Sequence, residues 1–438
     1  MFNNPYEDTA GRTDLGRAFL AHQASFRHDV ALSLPGVCSG VLDAIESRSE
    51  GAVEVARCRG EMAALLADPK SAGDAFRARF MAGYEAARAA ACPLWTAIVR
   101  ERRKLHGVSS DYTLWHFDPS ALHALEEEAL SDSAIGYFVK KMLDRLAQAD
   151  GVDQTAWRQA FEAYSEAVAY RLLRNNGGEH IKVERMPEAD GSTPDFKCTL
   201  ASDPPGTFYV EVKTLDIVNA DQRHPEMLDD GMLVQDDIDR QVAAGKRIAM
   251  ATGEVAPYRK FGDDPDYDWR AGKMSIERLI DKCRQNFKAK QFALGPTFGL
   301  ASLLRMPIGD GGLRPLAPFA YDGLNGGACV SGELWNVCFG MPGDPIHRTP
   351  EFEGKGSLDG RLEREGILVG SGRIDSPGVL FLRHEDGECR LDGLIDPYWP
   401  NEWAWSSNHT EDVVWTLCRA YNDAKNSNAY LLSNPVPP

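Results

Sequence analysis

The 438-residue chain is short of positive charge, and its cysteines and histidines lack metal-binding spacing. Lys and Arg total 48 against 65 Asp and Glu, a formal net charge of −17. So acidic a chain is excluded from wide, non-specific binding to duplex DNA, which needs a positive surface. Any nucleic-acid contact must use a local basic patch, or a partner must supply the charge. The nine cysteines are odd in number and include no Cys-x-x-Cys pair, which excludes a zinc ribbon and a disulfide framework. The ten histidines include no His-x-x-x-His pair. No apolar run reaches the length of a membrane span, so no membrane partner is expected. Met1 to Asp8 carries neither a basic nor an apolar leader region, and the expectation is a cytoplasmic protein.

Several catalytic signatures are also missing. There is no Gly-x-x-x-x-Gly-Lys-Ser/Thr loop and no Gly-x-Gly-x-x-Gly after a strand, which removes P-loop and dinucleotide chemistry. Gly370-Ser371-Gly372 does not form the Gly-x-Ser-x-Gly elbow of a serine hydrolase. The Asp264, Asp266, Asp268 series resembles a calcium loop, but Trp269 stands where such a loop needs glycine, so an acidic surface loop is expected.

What is present falls into three regions. Residues 1–150 are rich in Ala, Leu, Glu and Arg and read as helical, with helices at Asp74–Ile98 (broken near Pro93), Ser120–Glu128 and Ser133–Ala149. Arg100, Arg102, Arg103 and Lys104 read as a solvated helix end, and Glu126-Glu127-Glu128 as a solvated face. Residues 151–306 alternate helix and strand. Residues 307–438 are rich in glycine and proline, with strands expected at Ala328–Phe339, Gly366–Gly370 and Val379–Arg383 and a last helix at Thr410–Lys425.

The middle region carries the chemistry. Trp157, Phe161, Tyr164, Val168 and Leu172 form an apolar stripe at helical spacing, with Glu162 and Glu166 off that stripe. Asn175-Asn176-Gly177-Gly178 ends this helix, and Ile181–Met186 reads as a strand. Two strand-like runs follow, one opening with Pro194-Asp195 and one carrying Glu211-Val212-Lys213. Period-two alternation puts Tyr209, Glu211 and Lys213 on one face and Phe208, Val210 and Val212 on the other. If the runs pair, Asp195 and Glu211 converge beside Lys213. Two carboxylates and a lysine at one point suit a hard divalent cation and the water it activates. Beyond an acidic helix at Asp229–Ala244 comes a helix at Met274–Ala293, with Ser275 as its N-cap, then a strand at Thr297–Arg305. Between Arg270 and Arg305 eight basic residues face two acidic ones, making this the best phosphate-facing segment of the chain.

A helix with a glutamate, a strand, Pro194-Asp195, about fifteen residues, Glu211-Val212-Lys213, then a helix and a strand resembles the PD-(D/E)xK phosphodiesterase superfamily over roughly residues 155–305. The resemblance implies an α/β (mixed α+β) fold with a restriction-endonuclease-like αβββαβ core, flanked by the helical N-terminal and β-rich C-terminal regions. It implies a nuclease that hydrolyses phosphodiesters with Mg²⁺ (Mn²⁺ as a substitute). Asp195, Glu211 and the Val212 carbonyl would hold the metal, and Lys213 would orient or activate water and stabilise the scissile phosphate. Glu166, with Glu162 as its competitor, would be the acidic residue of the first helix. Gln291 and Gln285 would be polar residues lent by the second helix, with Lys288 and Lys290 near for phosphate. Analogy of fold alone points to bacterial defence against foreign nucleic acid. The sequence departs from the family pattern in the roughly sixty residues between Lys213 and Met274. An inactive nuclease fold serving as a binding or assembly subunit, or as part of a homo-oligomer, is the alternative that the net charge favours.

Overall fold

The computed structural model describes residues 93–104, 112–149, 155–187, 193–202, 205–217, 224–251, 271–306, 319–321, 328–330, 333–347, 358–385, 388–396, 398–400 and 405–421. The expected helix before Pro93, the acidic loop around Asp266 and the C-terminal tail lie outside them. The fold is mixed α/β, with eight α-helices among the described residues. The chain divides into two compact units, residues 1–107 with 113–164, and residues 108–112 with 165–438.

The first unit contains α1 (Pro93–Lys104), α2 (Pro119–Glu128), α3 (Ser133–Ala147) and the start of α4 (Thr155–Gly177). Leu94, Ile98, Leu122, Leu125, Ile135, Phe138 and Met142 are buried in it. Phe117 packs against Phe161 and Tyr164 with ring centroids 4.9 and 5.1 Å apart. Pro93 opens α1, where a missing N–H costs nothing. Glu126 caps that helix: its Oε1 accepts from the Leu94 N–H at 2.7 Å and the Trp95 N–H at 3.3 Å. The acidic triplet is therefore not a uniformly solvated face. Glu126 is buried because the unpaired amides of a helix start draw a carboxylate inward. Asp132 caps α3 in the same way, through the amides of Ala134 and Ile135.

The second unit is built on a seven-stranded sheet in the order β1-β2-β3-β4-β9-β10-β11. Its strands are β1 (Ile181–Arg185), β2 (Phe196–Leu200), β3 (Gly206–Thr214), β4 (Thr297–Ser302), β9 (Gly378–Glu385), β10 (Glu388–Ile395) and β11 (Ala420–Tyr421). β1, β2 and β3 pair antiparallel, and β3, β4 and β9 run parallel. β9 and β10 form an antiparallel pair and β11 joins β10 in parallel. Two short pairs lie apart from it, β5 (Phe319–Tyr321) with β6 (Ala328–Val330), and β7 (Pro345–His347) with β8 (Leu358–Arg361). The C-terminal strands thus extend the sheet begun by the middle region.

Both faces of this sheet are covered. Phe196, Cys198, Phe208, Val210, Phe298 and Leu300 point to one side and are fully buried. On that side Tyr170 of α4 packs on Phe196, and Trp405, just before α8 (Ser407–Leu417), packs on Phe208, each with centroids 5.7 Å apart. On the other side Ala301, Val379 and Phe381 share a core with Ile276, Leu279, Ile280 and Cys283 of α6 (Gly272–Asn286) and Leu334 and Val337 of α7 (Glu333–Phe339). α5 (His224–Ala243) lies between β3 and α6 in the chain, within the long connection noted above.

Several boundaries differ from expectation. α6 starts after Ala271 and stops at Asn286; Ser275 is interior, its Oγ donating to the Ala271 carbonyl at 3.1 Å. Phe287 leaves the helix in an extended conformation and lies on Gly299 of β4, where an added Cβ would meet its ring at 3.1 Å. A separate 3₁₀ turn, Ala289–Phe292, completes the predicted span. Ala328–Phe339 is not one strand but β6 followed by α7. Gly366–Gly370 forms turns, because Gly366 lies against the Cys338 carbonyl and Gly370 has φ +72. α8 ends at Leu417 and the chain enters β11. In α4 Leu173 is fully buried and Leu172 only half-buried.

Candidate active site

The site forms where β2 begins and β3 nears its end. Phe196 pairs with Val210, and one step further the same register sets Asp195 across from Glu211. Tyr209 turns its N–H toward β4, bonding the Pro296 carbonyl, so the odd residues of β3 hydrogen-bond on that side. Asp195 and Glu211 therefore occupy a non-hydrogen-bonded position, at which opposed Cα atoms come closest, about 4.5 Å apart. The Val212 N–H points the other way and donates to Asp195 Oδ2 at 2.7 Å. In an extended strand the N–H and C=O of one residue point to the same side, so the Val212 carbonyl also faces the Asp195 side. Met186 N–H bonds the Asp195 carbonyl at 2.8 Å, which fixes the backbone from β1.

Glu211 is 1% exposed, well beyond the half-exposed strand position its sequence context implies. It lies in register with Gly299, under the segment that follows α6. Its Oε1 is held twice, by the Lys213 ammonium and by the Gln291 amide. Gln291 is held in turn: its Oε1 accepts the Lys288 N–H at 2.8 Å, which leaves the amide nitrogen to donate to Glu211. Glu211 Oε2 is buried and has no hydrogen-bond partner among the described residues. A buried carboxylate oxygen left so is costly, on the order of 1–3 kcal/mol or more.

Electrostatics follow from this packing. Burial pushes the Glu211 carboxyl above its ordinary value; Lys213 pulls it down and Glu166 adds to the rise. Burial alone would lower the Lys213 ammonium, but Glu211, then Asp195 and Glu166, together hold it above its ordinary value. Three acidic groups thus surround one ammonium. The donors are all oxygen, and one of them is an orphan. That set fits a hard divalent cation held by Asp195, Glu211 and the Val212 carbonyl.

The structure thus brings Asp195, Glu211, Lys213, Glu166 and Gln291 together. Glu166 is half-buried on the part of α4 that belongs to the second unit, whereas Glu162 is exposed and belongs to the first. Lys288 and Lys290 are exposed on the turn that carries Gln291. Gln285 is exposed on α6 and takes no part in the Glu211 bonds. Gln291, one of the two polar residues expected from the second helix, reaches Glu211 from the 3₁₀ turn, five residues after that helix ends. Three of the eight basic residues of the window are engaged by other parts of the chain. Lys273 pairs with Glu363 at 2.5 Å, Arg305 with Asp216 at 3.2 Å, and Arg284 donates to the Gly366 carbonyl at 3.2 Å. Comparisons with protein-family models, with curated proteins and with solved structures found no match.

Proposed function

We propose that the protein is a metal-dependent nuclease that hydrolyses a phosphodiester bond of nucleic acid. One observation carries this reading: the orphan Oε2 of Glu211, buried opposite Asp195 and beside Lys213. The order helix, three strands, helix, strand from α4 to β4, with α5 inserted, agrees with the restriction-endonuclease-like core that the sequence resembles. Bound Mg²⁺ would lower the pKa of a water ligand and offset charge on the phosphate. Asp195 and Glu211 would hold the cation, with the Val212 carbonyl completing the protein's share. The Val212 N–H and the Gln291 amide fix the two carboxylates, so little reorganisation is needed when charge develops. Lys213 faces the scissile phosphate, donating to an oxygen that gains charge, and Glu166 adds to the negative field that draws in the cation. Water adds to phosphorus, the P–O bond to the leaving oxygen breaks, and the products are a phosphomonoester and a hydroxyl. The test is Mg²⁺-dependent cleavage of DNA and RNA by the wild type and by Lys213→Ala. Loss of activity in the variant supports the reading, and equal activity in both overturns it.

A second reading, a nuclease fold acting as a binding subunit, is favoured by a separate observation. Met232 and Leu233 on α5 are 65% and 64% exposed, and Ile248 and Met250 just beyond it 76% and 74%. Exposed apolar groups concentrated on one excursion are a feature of protein-binding surfaces. Calorimetry showing no Mn²⁺ binding, with a stoichiometric partner retained on purification, would favour it.

A further inference from the structure

We infer, resting on the nuclease reading above, that the site takes a single-stranded or short oligonucleotide and not a duplex. The basis is the supply of cations around Glu211. A protein that grips duplex DNA makes roughly six to ten phosphate contacts with Lys and Arg. β2, β3 and the turn that carries Gln291 offer four basic side chains, Lys197, Lys213, Lys288 and Lys290. Lys213 is bonded to Glu211. Lys197 stands opposite Glu184 in the β1–β2 register and its charge acts on that carboxylate. Lys288 and Lys290 remain, both exposed, three residues or fewer from Gln291. Of the basic residues on α6 and just after β4, Lys273 is committed to Glu363, Arg284 to the Gly366 carbonyl and Arg305 to Asp216.

The chain as a whole carries charge of the wrong sign for a duplex. α5 holds Glu226, Asp229, Asp230, Asp236, Asp237 and Asp239 against a single Arg240. A second strand of phosphates, brought to a protein of net charge −17, would meet repulsion that two lysines cannot offset. A single flexible strand needs only the scissile phosphate at the carboxylates and one or two flanking phosphates at Lys288 and Lys290. Its bases are free of a complement, so it can also bend into a site whose key carboxylate is buried.

The experiment uses the full chain in Mn²⁺, with an end-labelled single-stranded oligodeoxynucleotide, the same sequence as RNA, and the DNA strand annealed to its complement. The expected result is faster cleavage of single strands than of duplex, by about tenfold or more. A plot of log affinity against log salt for the single strand should have a slope of about −2, as three phosphate contacts, at Lys213, Lys288 and Lys290, give. The double variant Lys288→Ala, Lys290→Ala should flatten that slope while leaving Mn²⁺ affinity unchanged. Equal or faster cleavage of the duplex overturns this inference and leaves the nuclease reading in place. A steep slope, or one the double variant does not change, also overturns it. No cleavage of any substrate overturns both. The DNA and RNA arms decide which sugar the strand carries.

Discussion

Two charged clusters lie on the same side of the same sheet, and they are built to opposite plans. At β9–β10, Asp392 is fully buried and bonded to Arg383, with the Arg390 guanidinium 3.7 Å from its other oxygen. One carboxylate there has two cations of the chain's own. At β2–β3 the single ammonium of Lys213 faces three carboxylates, those of Glu211, Asp195 and Glu166. A cluster that is neutralised internally holds strands together. On the metal-dependent reading proposed above, a cluster with three carboxylates to one ammonium would take a cation from outside.

The contrast can be broken by substitution. The largest effect on stability is expected from Asp392→Ala, which leaves Arg383 buried without its counter-ion; urea denaturation should show a loss of about 3–5 kcal/mol. Glu211→Gln should not show a comparable loss, because it removes a desolvated charge, and a loss as large would mean that the two clusters do the same structural work. The largest effect on activity is expected at the other cluster. Lys213→Ala and Glu211→Gln should each lower the cleavage rate about 10²–10³-fold, while Arg390→Lys lowers it little. An intermediate effect is expected at Gly299, in register with Glu211 and under Phe287. Gly299→Ala should cost about 1–3 kcal/mol, since the added methyl meets the Phe287 ring. The smallest effect concerns Asp396, which pairs with Arg373 at 3.1 Å. Burial pushes its carboxyl above the ordinary value despite the Tyr398 N–H and Arg373. A carboxyl raised in the folded state supports the fold when protonated and costs stability as pH rises through that raised value. Denaturation curves from acid to neutral pH should therefore move in favour of Asp396→Asn relative to the wild type as pH rises.

The difference between the clusters also shows what the sequence could reveal. The β2–β3 pair was legible because its apolar residues alternate strictly, Phe196, Cys198, Leu200 against Phe208, Val210, Val212, and alternation fixes which side chains share a face. From that alone Asp195 and Glu211 could be set together. β10 was not legible. Its run Glu388-Cys-Arg-Leu-Asp-Gly-Leu-Ile395 puts Arg390 and Asp392 among inward-facing residues, and their burial makes sense only with Arg383 of the neighbouring strand in place. The C-terminal boundary of α6 was hidden for a similar reason. Helical pattern runs on through Phe287 and Phe292, but Phe287 is drawn out of the helix by the space over Gly299, a residue of another strand. Helix and strand signals are local, whereas ion pairs and close approaches are settled by distant parts of the chain. The role of Gln291 belongs to the second kind, because it needs the Lys288 amide, the turn and Glu211 at once.

The most direct measurement is a crystal of the wild type and of Glu211→Gln soaked in Mn²⁺, read by anomalous scattering. A metal-binding site of three carboxylates to one ammonium predicts one ion between Asp195 and Glu211 in the wild type, touching Glu211 Oε2, and none in the variant. An empty wild-type site, or an ion bound equally in both, would contradict it.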